Sequence, residues 1–200
     1  NVDRIIVATD CKKIKDIVLS FNLQKVEVYD RKKENAQDIS STESVILEYI
    51  KAEDLNSKDV FMLVQATSPF TQSSHFDEGL ELFKNYDSVL SCCQSKRFYW
   101  ERNGKPINYD IFNRPRRQDF QGSLVENGAF YISSVKDIKK SKNRISRNIG
   151  MYQMPEYTFT EIDDPEDWIV AESIMKKKIL TNINIDFSKS KIFLSDVDGV

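Results

Sequence analysis

Asp59-Val60-Phe61-Met62-Leu63-Val64-Gln65-Ala66-Thr67-Ser68-Pro69 is the stretch that decides the fold. Residues 59 to 65 are an apolar run of strand length that predicts a buried central strand, and Pro69 lies beyond its end because proline cannot donate to a strand ladder. Gln65, Thr67 and Ser68 then emerge at the carboxyl end of that strand, the side on which open α/β sheets bind ligands. On the residues alone, a ligand-facing loop and an ordinary strand-to-helix turn begun by Thr67 or Ser68 fit equally well.

On either side, short β-branched runs alternate with amphipathic segments. The pattern predicts further strands near 4 to 9, 25 to 29, 87 to 93, 129 to 133, 149 to 154 and 157 to 162. Helices are predicted near 11 to 21, 41 to 53, 74 to 85, 134 to 140 and 165 to 178; Ile14, Ile17, Val18 and Phe21 show the helical spacing. The fold class is therefore α/β, a mostly parallel, doubly wound sheet flanked by helices, with room for one antiparallel excursion. Residues 94 to 127 break the rhythm with aromatics, Asn, Gly and arginines, and a long irregular excursion is usually functional or an oligomer contact. From Lys176 onward, Lys, Asn, Ser and Ile read as a linker. A new apolar strand, Ile192 to Leu194, follows and leads to the carboxylates Asp196 and Asp198. The chain opens at Asn1 without Met and runs at once into a strand, so its true beginning is expected to be missing.

Two hundred residues suit one α/β core. Lys and Arg number 29 against 31 Asp and Glu, and a formal charge of -2 gives no bulk electrostatic reason to expect a nucleic-acid or membrane partner. Any bound anion must be held locally. Cys11, Cys92 and Cys93 cannot all pair within the chain, which favours reduced thiols. No apolar run approaches the roughly 20 residues needed to cross a bilayer, and no leader precedes Val2. A soluble, cytoplasmic protein is expected, or a nuclear one in a eukaryote.

Several constellations could carry chemistry. Arg114-Pro115-Arg116-Arg117 crowds three guanidinium groups, which repel unless acids or an anion neutralise them, and arginine grips carboxylate or phosphate through a planar fork. A small acidic ligand and a solvated charge run are the two readings. Glu126-Asn127-Gly128-Ala129-Phe130-Tyr131 pairs an Asn-Gly turn signal with a following strand. In Thr160-Glu161-Ile162-Asp163-Asp164-Pro165, Asp164 and Pro165 suit a helix N-cap and first turn. Capping leaves Glu161 and Asp163 unexplained; two residues apart at a strand end they share a face, as two carboxylates on one hard divalent cation do. Ser41 or Thr42 suits the cap of the next helix, although a helix start can also meet a nucleotide. His75, the only histidine, reads as a surface residue. No Ser/His/Asp triad or zinc spacing is present.

In this order, Asp38 to Thr42, Gln65 to Pro69, Arg114 to Asp119, Glu126 to Tyr131 and Glu161 to Asp163 resemble the acylneuraminate cytidylyltransferase family over roughly residues 2 to 178. The resemblance implies a Rossmann-like nucleotidyltransferase fold, a homodimer, and use of CTP, magnesium (Mg2+) and a nine-carbon keto-sugar acid. By matching position it implies that Glu161 and Asp163 bind metal, with Glu161 where the family often has Asp. Gln65 and Arg116 would hold the sugar acid, Arg116 meeting its carboxylate, and Ser41 would touch the nucleotide. Asn127, Phe130 and Tyr131 would form the pocket for the acyl amide and sugar ring. Arg116 and Asp163 are the pair expected to matter most for catalysis. The family's first strand and phosphate-cradling loop have no counterpart after Asn1, so residues 1 to 200 alone are expected to turn over CTP poorly. The tail resembles the first strand of a haloacid-dehalogenase-type phosphatase, which casts Asp196 as nucleophile and Asp198 as acid/base. The expected organisation is a transferase domain at 1–178, a linker at 179–190 and the start of a phosphatase domain at 191–200. The alternatives are a cytidylyltransferase for legionaminic, pseudaminic or 3-deoxy-octulosonic acid, a silent nucleotide- or anion-binding module, and a parent protein that is mainly a phosphatase.

Overall fold

A computed structural model describes residues 2–32, 35 and 41–180. The order is β1 (Ile5–Thr9), α1 (Lys12–Ser20), β2 (Val26–Asp30), α2 (Thr42–Ala52), β3 (Val60–Val64), α3 (Ser73–Phe83), β4 (Ser88–Ser95), β5 (Ser123–Ser134), α4 (Val135–Ser141), β6 (Ile149–Met154) and α5 (Pro165–Ile174). β1 and β2 pair in parallel as a two-stranded sheet, and the larger sheet runs β3-β5-β4-β6. β5 is antiparallel to both neighbours while β4 and β6 are parallel, so three strands of this sheet run one way and β5 is the antiparallel excursion.

β4 is the spine of the core. Ser88 to Cys93 are all buried, as expected of a strand covered on both faces, and successive side chains alternate between the two layers. On one face Val89 and Cys93 meet Phe130, Ile132 and Met62 under Phe76, Leu80 and Phe83 of α3. On the other, Phe61 and Leu63 of β3 meet Ile46 and Ile50 of α2 and Val135 and Ile138 of α4. Each such side chain contributes about 2 kcal/mol when fully buried. α2 also carries the small sheet: the Tyr29 hydroxyl donates to Glu48 (2.7 Å), and Arg4 bridges Glu27 and Glu53.

Three expectations change. Residues 157 to 162 do not form a strand; Glu156–Phe159 is a 3-10 turn closed by Thr158 N–H donating to Pro155 O. Thr158 is buried, and its hydroxyl lies 3.2 Å from Cys93 Sγ and 3.1 Å from Asn127 Nδ2, so side-chain bonds hold the segment where strand pairing was expected. β5 begins at Ser123, six residues before its predicted start. α5 runs on through a π-type turn, Met175–Ile179, so the helical segment ends within one residue of the predicted 178. His75 is buried rather than superficial, its Nδ1 accepting the Gln72 N–H (3.1 Å) at the start of α3. Asp196 and Asp198 lie outside the described residues.

Candidate active site

The site is built where β3 stops. Gln65 leaves the strand with its N–H bonded to Ala129 O (3.2 Å); Ser68 N–H then donates to Gln65 O, and the Ser68 hydroxyl to Asn127 O (3.4 Å). The loop is thus a turn tied to β5, at the carboxyl end predicted for it.

Opposite this turn β5 is deformed. Leu90 pairs with Tyr131 but Cys92 pairs with Glu126, so four residues, Asn127 to Phe130, face the single Ser91 of β4. Ser91 Oγ accepts the Phe130 N–H (2.9 Å) inside this bulge, and Gly128 adopts φ +67°, a conformation that costs side-chain-bearing residues energy. The Asn-Gly signal therefore marks a mid-strand bulge, not a turn between elements. A Cβ on Gly128 would collide with Gln65 Oε1 and lie 3.0 Å from Glu161 Oε1, so the bulge is where those two side chains converge.

Glu161 arrives from the other direction. Ile162 N–H donates to Thr67 O (2.9 Å), pinning Glu161 and Asp163 beside the β3 turn without any strand. Burial, and then the neighbouring Asp163 carboxylate, push the Glu161 carboxyl above its ordinary value of 4.5. Neither side chain has a Lys or Arg partner among the described residues. An unneutralised pair of this kind fits a hard divalent cation. Among the described residues no group of three or more His, Cys, Asp or Glu is gathered to hold an ion by itself. Two carboxylates suit magnesium, which takes one or two from protein and the rest of its shell from phosphate and water. Asp167 Oδ2 meanwhile accepts the N–H groups of Asp163 and Asp164 (3.1 and 2.9 Å), so it holds the start of α5 together ahead of Pro165.

Tyr131 lies on the face of β5 away from α3, buried among Leu63, Leu90 and Cys92, and donates its hydroxyl to Glu126 Oε2 (2.9 Å). Burial first, then that bond, push the hydroxyl up to about 12, so it stays a donor. The Arg144 guanidinium stands 5.0 Å over the Tyr131 ring, and Arg144 Nε binds Glu43 in the first turn of α2 (2.5 Å). Sequence reasoning singled out neither Glu43 nor Arg144, since nothing in the polar 142–148 segment distinguishes Arg144 from its basic neighbours.

Gln65, Glu161, Asp163 and Tyr131 thus gather around the bulge. Asn127 and Phe130 do not line an open pocket: both are fully buried, Asn127 bonded to Thr158 and Phe130 in the core beside Phe76 and Tyr152. They hold the floor beneath the site. Ser41 is exposed and caps α2, its Oγ accepting the Ser44 N–H (3.2 Å), as its spacing suggested. Of the arginine cluster, Arg114 stacks over Phe98 (4.4 Å) and Arg116 is exposed and paired with Asp119 (2.6 Å). No hydrogen bond or ion pair joins Arg116 to Gln65, Glu161 or Asp163. It sits on the irregular excursion between β4 and β5, which leaves the sheet at the same carboxyl end.

The sequence profile described as cytidylyltransferase matches residues 1–162. The chain belongs to the cytidylyltransferase family. Among curated relatives, this cytidylyltransferase chain is 35% identical over 181 residues to N-acylneuraminate cytidylyltransferase B of Danio rerio, a match covering 86% of the chain and 41% of that protein. It is 35% identical, again over 181 residues, to N-acylneuraminate cytidylyltransferase of Oncorhynchus mykiss, covering 85% of the chain and 40% of that protein. The chain thus spans about two fifths of the length of these relatives. In structure it is similar to the 2-C-methyl-D-erythritol 4-phosphate cytidylyltransferase of Francisella tularensis, with a TM-score of 0.61 at 11% identity, covering 86% of this chain and 80% of that one. That likeness establishes the nucleotidyltransferase type of Rossmann-like fold. Among the described residues no helix is long and apolar enough to cross a membrane.

Proposed function

We propose that the protein carrying this chain transfers CMP from CTP to an N-acylneuraminate, giving CMP-sialic acid and pyrophosphate. The observation that carries the reading is the unneutralised pair Glu161 and Asp163 held beside Gln65 at the carboxyl end of β3. The names of the relatives supply the substrate. In this reading the anomeric hydroxyl oxygen of the sugar acid bonds to the α-phosphorus of CTP as the bond to the bridging oxygen of the β-phosphate breaks. Pyrophosphate leaves with that electron pair, and the hydroxyl proton passes to water.

Glu161 and Asp163 would hold a magnesium ion, and magnesium, when bound, neutralises phosphate charge. Ser41, at the start of α2, would meet the nucleotide. Gln65 would hydrogen-bond the sugar acid, and Arg116, whose guanidinium is held by an exposed bond to Asp119, would turn to grip its carboxylate. Positioning and charge neutralisation would then drive the reaction without a covalent enzyme intermediate. The exposed Trp100, Ile107, Ile111 and Phe112 on the 96–122 excursion support a homodimer formed through that surface. The cytoplasm, or the nucleus in a eukaryote, is the compartment this reading implies.

The test is pyrophosphate release by the full-length natural polypeptide with CTP, magnesium and a panel of N-acylneuraminate, legionaminic, pseudaminic and 3-deoxy-octulosonic acids. Transfer is expected to be fastest to N-acylneuraminate and to fall on the order of 100-fold or more in Glu161→Gln with Asp163→Asn. Nucleotide binding that ignores magnesium and survives the double substitution, with no transfer to any sugar acid, would favour a silent binding module instead.

A further inference from the structure

We infer that Glu126 is a substrate-contacting residue that accepts a hydroxyl of the sugar acid's polyol, and that Tyr131, Arg144 and Glu43 form a chain that aims it. The inference rests on the functional reading above and deepens it. Glu126 is an exposed strand residue in a motif otherwise occupied by buried side chains. It meets Tyr131, five positions on, only because the bulge at Gly128 returns both side chains to one face of the sheet. The Tyr131 hydroxyl fixes Oε2, and Oε1 accepts no hydrogen bond among the described residues. A carboxylate oxygen held still and left unbonded, on the strand whose Gly128 bulge receives Gln65 and Glu161, is an acceptor waiting for a donor.

The sign of its charge selects which end of the ligand it meets. A carboxylate repels the acid group of the sugar and accepts from its hydroxyls, so the acid end must lie away from Glu126.

The rest of the chain explains why Tyr131 does not move. Its ring is clamped under the Arg144 guanidinium at 5.0 Å; Arg144 O accepts the Ser133 hydroxyl (2.7 Å), and Arg144 Nε is bonded to Glu43 on α2. Three elements, α2, β5 and the loop after α4, thereby fix one carboxylate oxygen. Tyr131, Arg144 and Glu43 act through Glu126 and are positioning residues.

The test is steady-state kinetics of the full-length natural polypeptide with Tyr131→Phe, Glu126→Gln and the two combined, varying sugar acid and CTP separately. Each single variant is expected to raise KM for the sugar acid about tenfold, the worth of one hydrogen bond to a charged group, with KM for CTP within twofold and a much smaller change in kcat. The double variant should be no worse than the worse single, because the two side chains act as one unit. Thermal unfolding is read in parallel. Should Tyr131→Phe fail to fold, the exposed Glu126→Gln carries the test alone. An active wild type whose KM for sugar acid is unmoved by Glu126→Gln, or whose KM values for both substrates rise together, overturns this inference and leaves the functional reading standing. A wild type that transfers CMP to no sugar acid overturns both.

Discussion

Replacing Gly128 by alanine tests the geometry at its tightest point. Two costs are expected. The backbone sits at φ +67°, where an alanine costs about 1 kcal/mol relative to glycine, partly offset by the lower entropy of the unfolded chain. The new Cβ would also strike Gln65 Oε1 and approach Glu161 Oε1 to 3.0 Å, so both side chains must swing away. Those are side-chain tips rather than backbone, which limits the steric cost to about 1 kcal/mol more. Gly104→Ala isolates the first cost: Gly104 has φ +88°, and a Cβ there meets nothing within 4 Å. Urea unfolding at constant m-value should therefore place Gly104→Ala about 1 kcal/mol and Gly128→Ala about 2 kcal/mol below the parent, each kcal/mol lowering Tm by roughly 2–4 °C. The decisive difference is functional: only Gly128→Ala should weaken magnesium-dependent pyrophosphate release, because only it displaces Gln65 and Glu161. Equal stability losses and equal activities for the two alanines would refute the convergence of those side chains on the bulge.

Two further outcomes are expected. The bond from Arg144 holds the Glu43 carboxyl below its ordinary value of 4.5, so the pair's stabilisation is complete above that pH and is lost as pH falls through the lower folded value. Wild type and Glu43→Gln should differ by about 1–2 kcal/mol near neutrality, as befits a pair that is mostly but not fully buried. That gap should close below pH 4.5, and urea midpoints that keep a constant gap down to pH 3 would rule the ion pair out as its source. Light scattering of the full-length protein should give twice the monomer mass, and Phe112→Asp, at a side chain 94% exposed, should shift it toward monomer; a monomer at high concentration in the unaltered protein would count against the dimer.

The strands and helices that could be read from the sequence are those whose burial follows a period. β6 was predicted residue for residue, and α1 to α4 within two residues at each end, because their apolar residues recur with a regular period; α1 keeps that spacing although it buries no residue fully. The misreadings have two causes that no periodicity encodes: side-chain hydrogen bonds and a bulge. Tyr157, Thr158 and Phe159 have strand-forming composition, yet Thr158 has its hydroxyl beside Cys93 and Asn127, and the backbone closes into a 3-10 turn. The early part of β5 was hidden because the Gly128 bulge interrupts the alternation on which a strand is recognised.

The same bulge explains which site residues could be anticipated. Glu161 and Asp163 stood out because helix capping left them unexplained, and the structure places them by a backbone bond from Ile162 to Thr67, with the Asp163 N–H held by Asp167, rather than by a strand. Asn127 and Phe130 were expected in the pocket because the family resemblance places them there by matching position. An ordinary strand alternates faces at every residue, whereas the extra residues opposite Ser91 turn Asn127 and Phe130 both into the α3-side core and leave Glu126 and Tyr131 together on the other face. The motif therefore divides its labour: Asn127 and Phe130 anchor the bulge from below, Gly128 lets Gln65 and Glu161 close on it, and buried Tyr131 holds the exposed Glu126 on the other face. A stability loss is the expected signature of substitutions in the first pair, and a substrate-specific change in KM is that of the last.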